Sequence, residues 1–252
     1  MQVWRGLRAC ALGLGLTLLG AMALALPPRP ALADDLAAFN AAVERAAAHN
    51  RVALGYLRTD SIDLAVIELE RMQAAWGELV TRFGKTPPDA LRDNPLFVET
   101  MVDVPTKIVG TMLVMEMGRT DLARAALQEI RETLSRMRRA SGIVVLADCV
   151  LDANAAMAAF FKFDEAPPDW DKPQAVAGFE ATATTLAEVM RRCDSLADAQ
   201  VRQQPEFRRL IDGTLASLAF VPQAVARRDA DLIHRLVGEL RAFDNLLVFR
   251  YG

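Results

Sequence analysis

Histidine is almost missing from this chain, with His49 and His234 the only two in 252 residues. That scarcity leaves little from which to build a histidine metal centre, and no Ser-His-Asp set stands out. Cysteine is as sparse. Cys10 stands too early to be a lipoprotein cysteine, and only Cys149 and Cys193 lie beyond it. No C-x-x-C and no C-x-x-C-H occurs, so zinc ribbons, thioredoxin-type redox chemistry and covalent haem attachment find no support. The glycines are scattered singly, which gives no Gly-rich phosphate loop. No carboxylate pair stands out either, so the chain is not expected to be an enzyme. Strand-like alternation of apolar and polar residues is absent.

What is present begins with an export signal. Arg5 and Arg8 make a basic start, and Ala9 to Leu26 is an apolar run without a charge. "PPRPALA" then ends in the small-x-small pattern Ala31-Leu32-Ala33 before Asp34, which suits signal peptidase. The run is also about long enough to span a bilayer, so an uncleaved anchor is the alternative. Cleavage removes three of the 29 basic residues and none of the 32 acidic ones, leaving a net charge of −6. An acidic chain of that kind is not expected to bind nucleic acid. The expected location is the periplasm, with no stable membrane span after cleavage. In that oxidising compartment a disulfide between Cys149 and Cys193 is one option.

The apolar spacing is helical nearly throughout. Ile62, Val66, Leu69, Trp76, Val80 and Phe83 fall on one stripe, as do Leu232, Leu236, Leu240, Phe243 and Leu247. Breaks fall at "GKTPPDALRDNP", "DEAPPDWDKP" and "CDSLADAQVRQQP". Pro95, Pro173 and Pro205 stand where helices can begin, with Asn94 and Asp171 as caps for two of them. The pattern predicts helices over residues 36–58, 61–83, 95–118, 120–140, 143–163, 173–193, 205–228 and 230–250. Pro105 and Pro222 predict kinks inside the third and seventh.

A shift of 110 residues brings the chain into register with itself. Glu70 meets Glu180, Arg82 meets Arg192, Pro95-x-Phe97 meets Pro205-x-Phe207, and Asp121-Leu122 meets Asp231-Leu232. Glu129-x-Arg131 meets Glu239-x-Arg241, and Gly142 meets Gly252. The fold class read from this is all-α, two tandem antiparallel four-helix bundles. Residues 1–33 are the signal peptide, 34–140 the first bundle and 141–252 the second. Helical hairpins of the tetratricopeptide kind would need a period of about 34 residues, which is absent. Ser141-Gly142 has low helix propensity but no proline, so the fourth and fifth helices are expected to run as one bent rod. Counting back from a turn near Pro167 sets Cys149 opposite residue 186, seven residues short of Cys193. That offset is about 10 Å along a helix, so two buried free thiols are expected.

The stretch "RMQAAWGELVTRFGKTPP", followed by "NPLFVETMVDVPTKIVGTMLVMEMGRTDLARAALQEIRETLSRMR", resembles the cytochrome c-prime family and its soluble periplasmic b-type relatives. The resemblance implies a four-helix bundle whose last helix holds a haem-binding histidine, followed three residues later by an aromatic-Arg pair. Phe249-Arg250 is similar to that pair. It sets Leu246 at the histidine position and Ala242 and Asn245 at the cysteine positions. The first half has Arg136 at the histidine position, and the ligand position near the start of helix one falls on Ala46. An axial nitrogen is therefore missing from both halves. The resemblance thus implies a bundle that has lost its haem. Phe243, Leu246 or Leu247, and Phe249 are expected to fill the space it left, with the first half keeping the cavity.

Three sets of side chains remain to be weighed. His49 is the candidate for holding a non-covalent haem b; as isolated residues, both histidines otherwise read as surface or capping groups. Met112 and Met115 share a helix face and could hold Cu(I), or fill the core as flexible methionines do. Glu129-x-Arg131 and Glu239-x-Arg241 read as solvated helix faces with neighbouring partners. The function expected is that of an exported, non-enzymatic, haem-free binding or accessory protein, recognising a periplasmic protein or small ligand at a seam. A haem b cytochrome for electron transfer or gas binding is the alternative, and copper handling a weaker one.

Overall fold

The computed structural model describes residues 31–252, and among these every regular element is helical. The expected export signal lies outside the described residues except for its last three, which open the first helix. In chain order the helices are α1 (Ala31–Arg58), α2 (Ile62–Phe83), α3 (Phe97–Glu116), α4 (Thr120–Ala140) and α5 (Leu146–Glu165). Then follow α6 (Pro173–Leu196), the single turn α7 (Ala199–Arg202), α8 (Pro205–Leu218), α9 (Val221–Arg227) and α10 (Ala230–Tyr251). One 3₁₀ turn, Asp89–Leu91, interrupts the connection from α2 to α3.

Neighbours in the chain pack on one another: α1 on α2, α3 on α4, and α5 on α6, with α10 returning to lie on α5 and α8. Buried apolar residues form two clusters. One runs from Phe39 to Met137 and centres on Trp76, whose indole N–H donates to the carbonyl of Met101 at 3.3 Å. The other runs from Cys149 to Val248 and contains Phe160 and Phe179, stacked 5.5 Å apart. Contacts of α1 with α10 and of α4 with α5 join the two sets of helices.

The helix ends explain two departures from the sequence pattern. α4 and α5 do not form a bent rod, because Gly142 turns the chain at φ 69°. The amide of Ile143 donates to the carbonyl of Arg138, and that of Gly142 to Arg139. That is the glycine stop in which two orphan carbonyls of the last turn are satisfied. Gly118 ends α3 in the same way, with Arg119 N–H donating to Val114. Pro105 stays inside α3, whereas the seventh predicted helix is broken in two ahead of Pro222, giving α8 and α9. Asn94 does not cap α3, whose N-cap is Leu96 without a side-chain bond; its Oδ1 accepts from Leu96 N–H in a turn ahead of the helix. Asp171 does not cap α6; it pairs with Arg228 across the surface.

Arg228 ends α9 at φ 53°, a left-handed conformation without glycine's freedom. A side chain there costs about 1–2 kcal/mol, against about 0.5–1 kcal/mol for the extra unfolded-state entropy of glycine. Its ion pair with Asp171 is solvent-exposed and adds little. Arg228→Gly is therefore expected to stabilise the chain by about 0.5–1 kcal/mol, read as a higher midpoint in urea with unchanged slope.

The cysteines are a further correction. Cys149 and Cys193 are joined, with their Cα atoms 5.4 Å apart, linking α5 to α6. The expected free thiols rested on a turn centred at Pro167. The connection actually spans residues 166–172 and turns at Asp169–Lys172, so its midpoint lies beyond Pro167. The register slides accordingly. Cys149 Sγ lies 3.6 Å from the carbonyl oxygen of Val189, one turn from Cys193, rather than beside residue 186.

Candidate functional site

The two helix sets meet along a seam with an unusual density of buried charge. Asp148, in the first turn of α5, is fully buried and faces the nearly buried guanidinium of Arg138 in the last turn of α4. Arg138 donates from Nε at 2.9 Å and from Nη2 at 2.5 Å, a forked pair on one carboxylate. Asp148 Oδ2 also accepts the backbone N–H of Val145 at 3.0 Å, closing an orphan amide at the start of α5. No buried side-chain nitrogen or oxygen of Arg138 or Asp148 lacks a hydrogen-bond partner.

Arg51 of α1 is also buried and reaches across the seam. Its Nη1 donates to the carbonyl of Gly252 at 3.0 Å, while Nη2 pairs with Glu44 at 2.5 Å. Beside it lies Arg131 of α4, only 7% exposed. Arg131 Nη1 donates to Gln128 at 2.7 Å and Nη2 to Asn154 of α5 at 3.1 Å, both neutral acceptors. Its Nε finds no partner in the protein. Asn154 in turn donates to the carboxylate of Asp244 on α10. Burial lowers the Arg131 pKa to about 10, opposed by Asp244, so the group remains a cation at neutral pH. Burial raises the Asp244 carboxyl above its usual range, against the pull of Asn154, Arg58 and Arg131.

Next to these groups opens a cleft of about 430 Å³. Val43 and Ala47 of α1 and Leu134 of α4 form one wall; Val144 to Ala147, Leu196 and Val201 form the other, with Arg131, Glu44 and Gly252 at the polar side. Its volume is within the range of roughly 300–1,000 Å³ usual for small-molecule sites. A second cavity of about 440 Å³ lies between α6 and the break from α8 to α9, with Glu180 and Arg191 on its rim.

Of the residues singled out from sequence, Arg131 and Arg250 line the first cleft, whereas His49, His234, Met112 and Met115 line neither cavity. His49 Nδ1 lies 2.7 Å from Glu68, whose other oxygen accepts from Arg71 at 2.6 Å. His234 Nδ1 lies 2.5 Å from Asp164 in the other helix set, where Arg241 approaches the same carboxylate at 3.2 Å. Met115 is buried in the first cluster and Met112 packs half-buried against it. Among the described residues no three His, Cys, Asp or Glu side chains gather as a metal site, and no helix is long and apolar enough to cross a membrane.

Two readings are overturned. Arg131 is not on a solvated face. It follows Leu127 by four residues and precedes Leu134 by three, so it shares their inward stripe, while Glu129 and Arg241 are exposed. Leu246 does not fill a lost haem space: it is 38% exposed, Phe249 is 36% exposed, and Phe243 and Leu247 alone turn inward. Phe249 instead lies along Gly55 of α1, where a Cβ would come within 3.2 Å of its ring. Arg136 is exposed too. Leu246→Ala should accordingly cost about 0.5 kcal/mol or less, measured by urea unfolding. In the first helix set Phe39 packs on Phe83 and on Phe97, while the cleft is shared, with α1 and α4 on one side and the second set on the other.

The groups that matter at the seam, Arg51, Arg138, Asp148, Asn154 and Asp244, had no motif to mark them. The one available signal was arginine at apolar-stripe positions, Arg131 and Arg138 flanking Leu134. Compared with known proteins, the chain matches no family model, no curated protein and no solved structure.

Proposed function

We propose that this is an exported, non-enzymatic, haem-free binding protein, built as two tandem four-helix bundles, that holds a small ligand where the bundles meet. The observation that carries this is the cleft of about 430 Å³ lined from both helix sets. Each wall is supplied by a different apolar cluster, so a ligand there would touch both. The tandem arrangement draws support from the helix starts. α6, α8 and α10 begin 111, 108 and 110 residues after α2, α3 and α4. A buried disulfide suits an oxidising compartment and supports export.

The kinship with cytochrome c-prime bundles is proposed for the helix layout alone. The exposed Leu246 supports no haem pocket at that position, and His49 lines neither cavity. The test is binding of a neutral, environment-sensitive fluorophore such as Nile red to the wild type and to Ala47→Trp, which fills the cleft. Saturable binding lost in the variant is expected; equal binding by both, or none by either, defeats the proposal. Added haem should give no Soret band, and a stoichiometric one would favour the cytochrome alternative.

A further inference from the structure

α3 turns an apolar face outward. Val98, Val102, Val109 and Leu113, with Met117 just past the helix end, are each more than half exposed. Between Glu99 and Glu116 the only charges on the helix are Asp103 and Lys107. These turn aside to pair with each other at 2.9 Å, and Lys107 also reaches Glu129 of α4 at 3.5 Å. Thr106 returns its hydroxyl to the carbonyl of Val102 at 2.8 Å, so it brings no unmet donor to the face. Five side chains of this size and exposure present about 500 Å², against about 300–600 Å² for the largest apolar patch of a typical monomer. The stripe is also its own complement. Residues four apart form ridges on a helix, and this face has two, Val98-Val102-Thr106-Gly110 and Pro105-Val109-Leu113-Met117. A two-fold axis passing between Lys107 and Ile108 exchanges the ridges, setting Val98 on Met117, Val102 on Leu113 and Thr106 on Val109. An isologous interface requires this self-complementarity of one patch. Gly110 falls near the axis, and a Cβ there would meet no atom of the described residues within 4 Å. Glycine in a helix interior is destabilising, and close approach of another helix gives it a use. A lipid surface would call for basic flanks, whereas Glu99 and Glu116 stand at the two ends of this face.

We propose that α3 is the interface of a two-fold symmetric homodimer, in which it packs antiparallel on α3 of a second copy, Val102 against the second copy's Leu113. Two such stripes closing on each other remove about 1,000 Å² from water, the least that a specific interface needs. The dimer is therefore weak, with Kd in the micromolar range. No residue of α3 lines the cleft, so the proposal stands apart from ligand binding. The experiment is sedimentation equilibrium on the chain expressed from its full sequence, as wild type, Val102→Glu, Leu113→Lys and the double variant. Both sites are exposed, and they lie about 16 Å apart along the helix, so neither change disturbs the core or pairs with the other within one chain. Each single variant should weaken dimerisation at least about ten-fold by placing an unpaired charge in the contact. The double variant should recover it, since the new carboxylate and ammonium then meet twice across the axis. Circular dichroism distinguishes loss of contact from loss of fold. A wild type still monomeric at about 0.3 mM overturns the proposal. A dimer indifferent to both single changes also overturns it, because it uses another face. A double variant no better than either single one removes the antiparallel register and the proposal with it. A monomeric wild type that floats with vesicles of phosphatidylcholine and phosphatidylglycerol, when Val102→Glu does not, gives the stripe to a lipid surface and likewise overturns it.

Discussion

Replacing Asp148 by Ala should destabilise the chain by about 3–5 kcal/mol, because it strands the buried Arg138 guanidinium. Asp148 is wholly enclosed and Arg138 nearly so, and the pair spans the last turn of α4 and the first turn of α5. Water cannot enter to replace the lost carboxylate at low cost. The conservative double variant Arg138→Met with Asp148→Leu should recover most of the loss, since a packed apolar pair avoids the desolvation of both charges. It should not recover all of it. Asp148 also accepts the Val145 amide, and a lost helix-start bond costs about 1 kcal/mol. Urea unfolding of the two variants measures both terms. If Asp148→Ala costs less than about 1 kcal/mol, the pair is solvated and the junction is looser than its geometry indicates.

The same junction shows how far sequence reasoning reached. Helices were legible because each buries one stripe of side chains at helical spacing, and that stripe is written locally. Ends marked by proline or glycine were legible too, as at Pro173, Pro205 and the connection after Gly118. Gly142 misled because low helix propensity can mean a kink or a stop. The choice was made by the two hydrogen bonds closing the last turn of α4 and by the Arg138–Asp148 fork beyond it. Those partners are ten residues apart and in different helices. No local pattern specifies them.

The candidate site was less legible for the same reason. A histidine or methionine attracts notice by type, yet His49 and His234 each found a carboxylate on a neighbouring helix and Met115 went into the core. The seam is assembled from residues of ordinary type at long separation, such as Arg51 with Gly252 and Asn154 with Asp244. Arginine on a helix usually reads as solvent-facing. What places Arg131 inside is its phase relative to Leu127, Ile130 and Leu134, all buried. The misplacement of Leu246 has the opposite origin. An aligned motif gave it a role, whereas its own phase, one residue before Leu247, puts it on the outer face.

Removing the Cys149–Cys193 bond should lower stability by about 4 kcal/mol. The bond closes a loop of 44 residues, and the entropy of an open chain of that length gives about this value at 25 °C. Both sulfurs are in the second apolar cluster, so Cys149→Ala with Cys193→Ala also creates small voids that add to the loss. Reduced wild type separates the two contributions, because it keeps the sulfur atoms and loses only the link. The reduced protein should therefore lie between the oxidised protein and the double alanine variant in urea midpoint. Full burial of both residues predicts that reductant acts slowly on the folded chain and quickly once urea opens it. Unreduced protein should weigh less than reduced protein by two hydrogens. If the masses agree, or if reduction shifts stability by less than about 1 kcal/mol, α5 and α6 are held in register by packing alone. The disulfide would then no longer support an oxidising compartment.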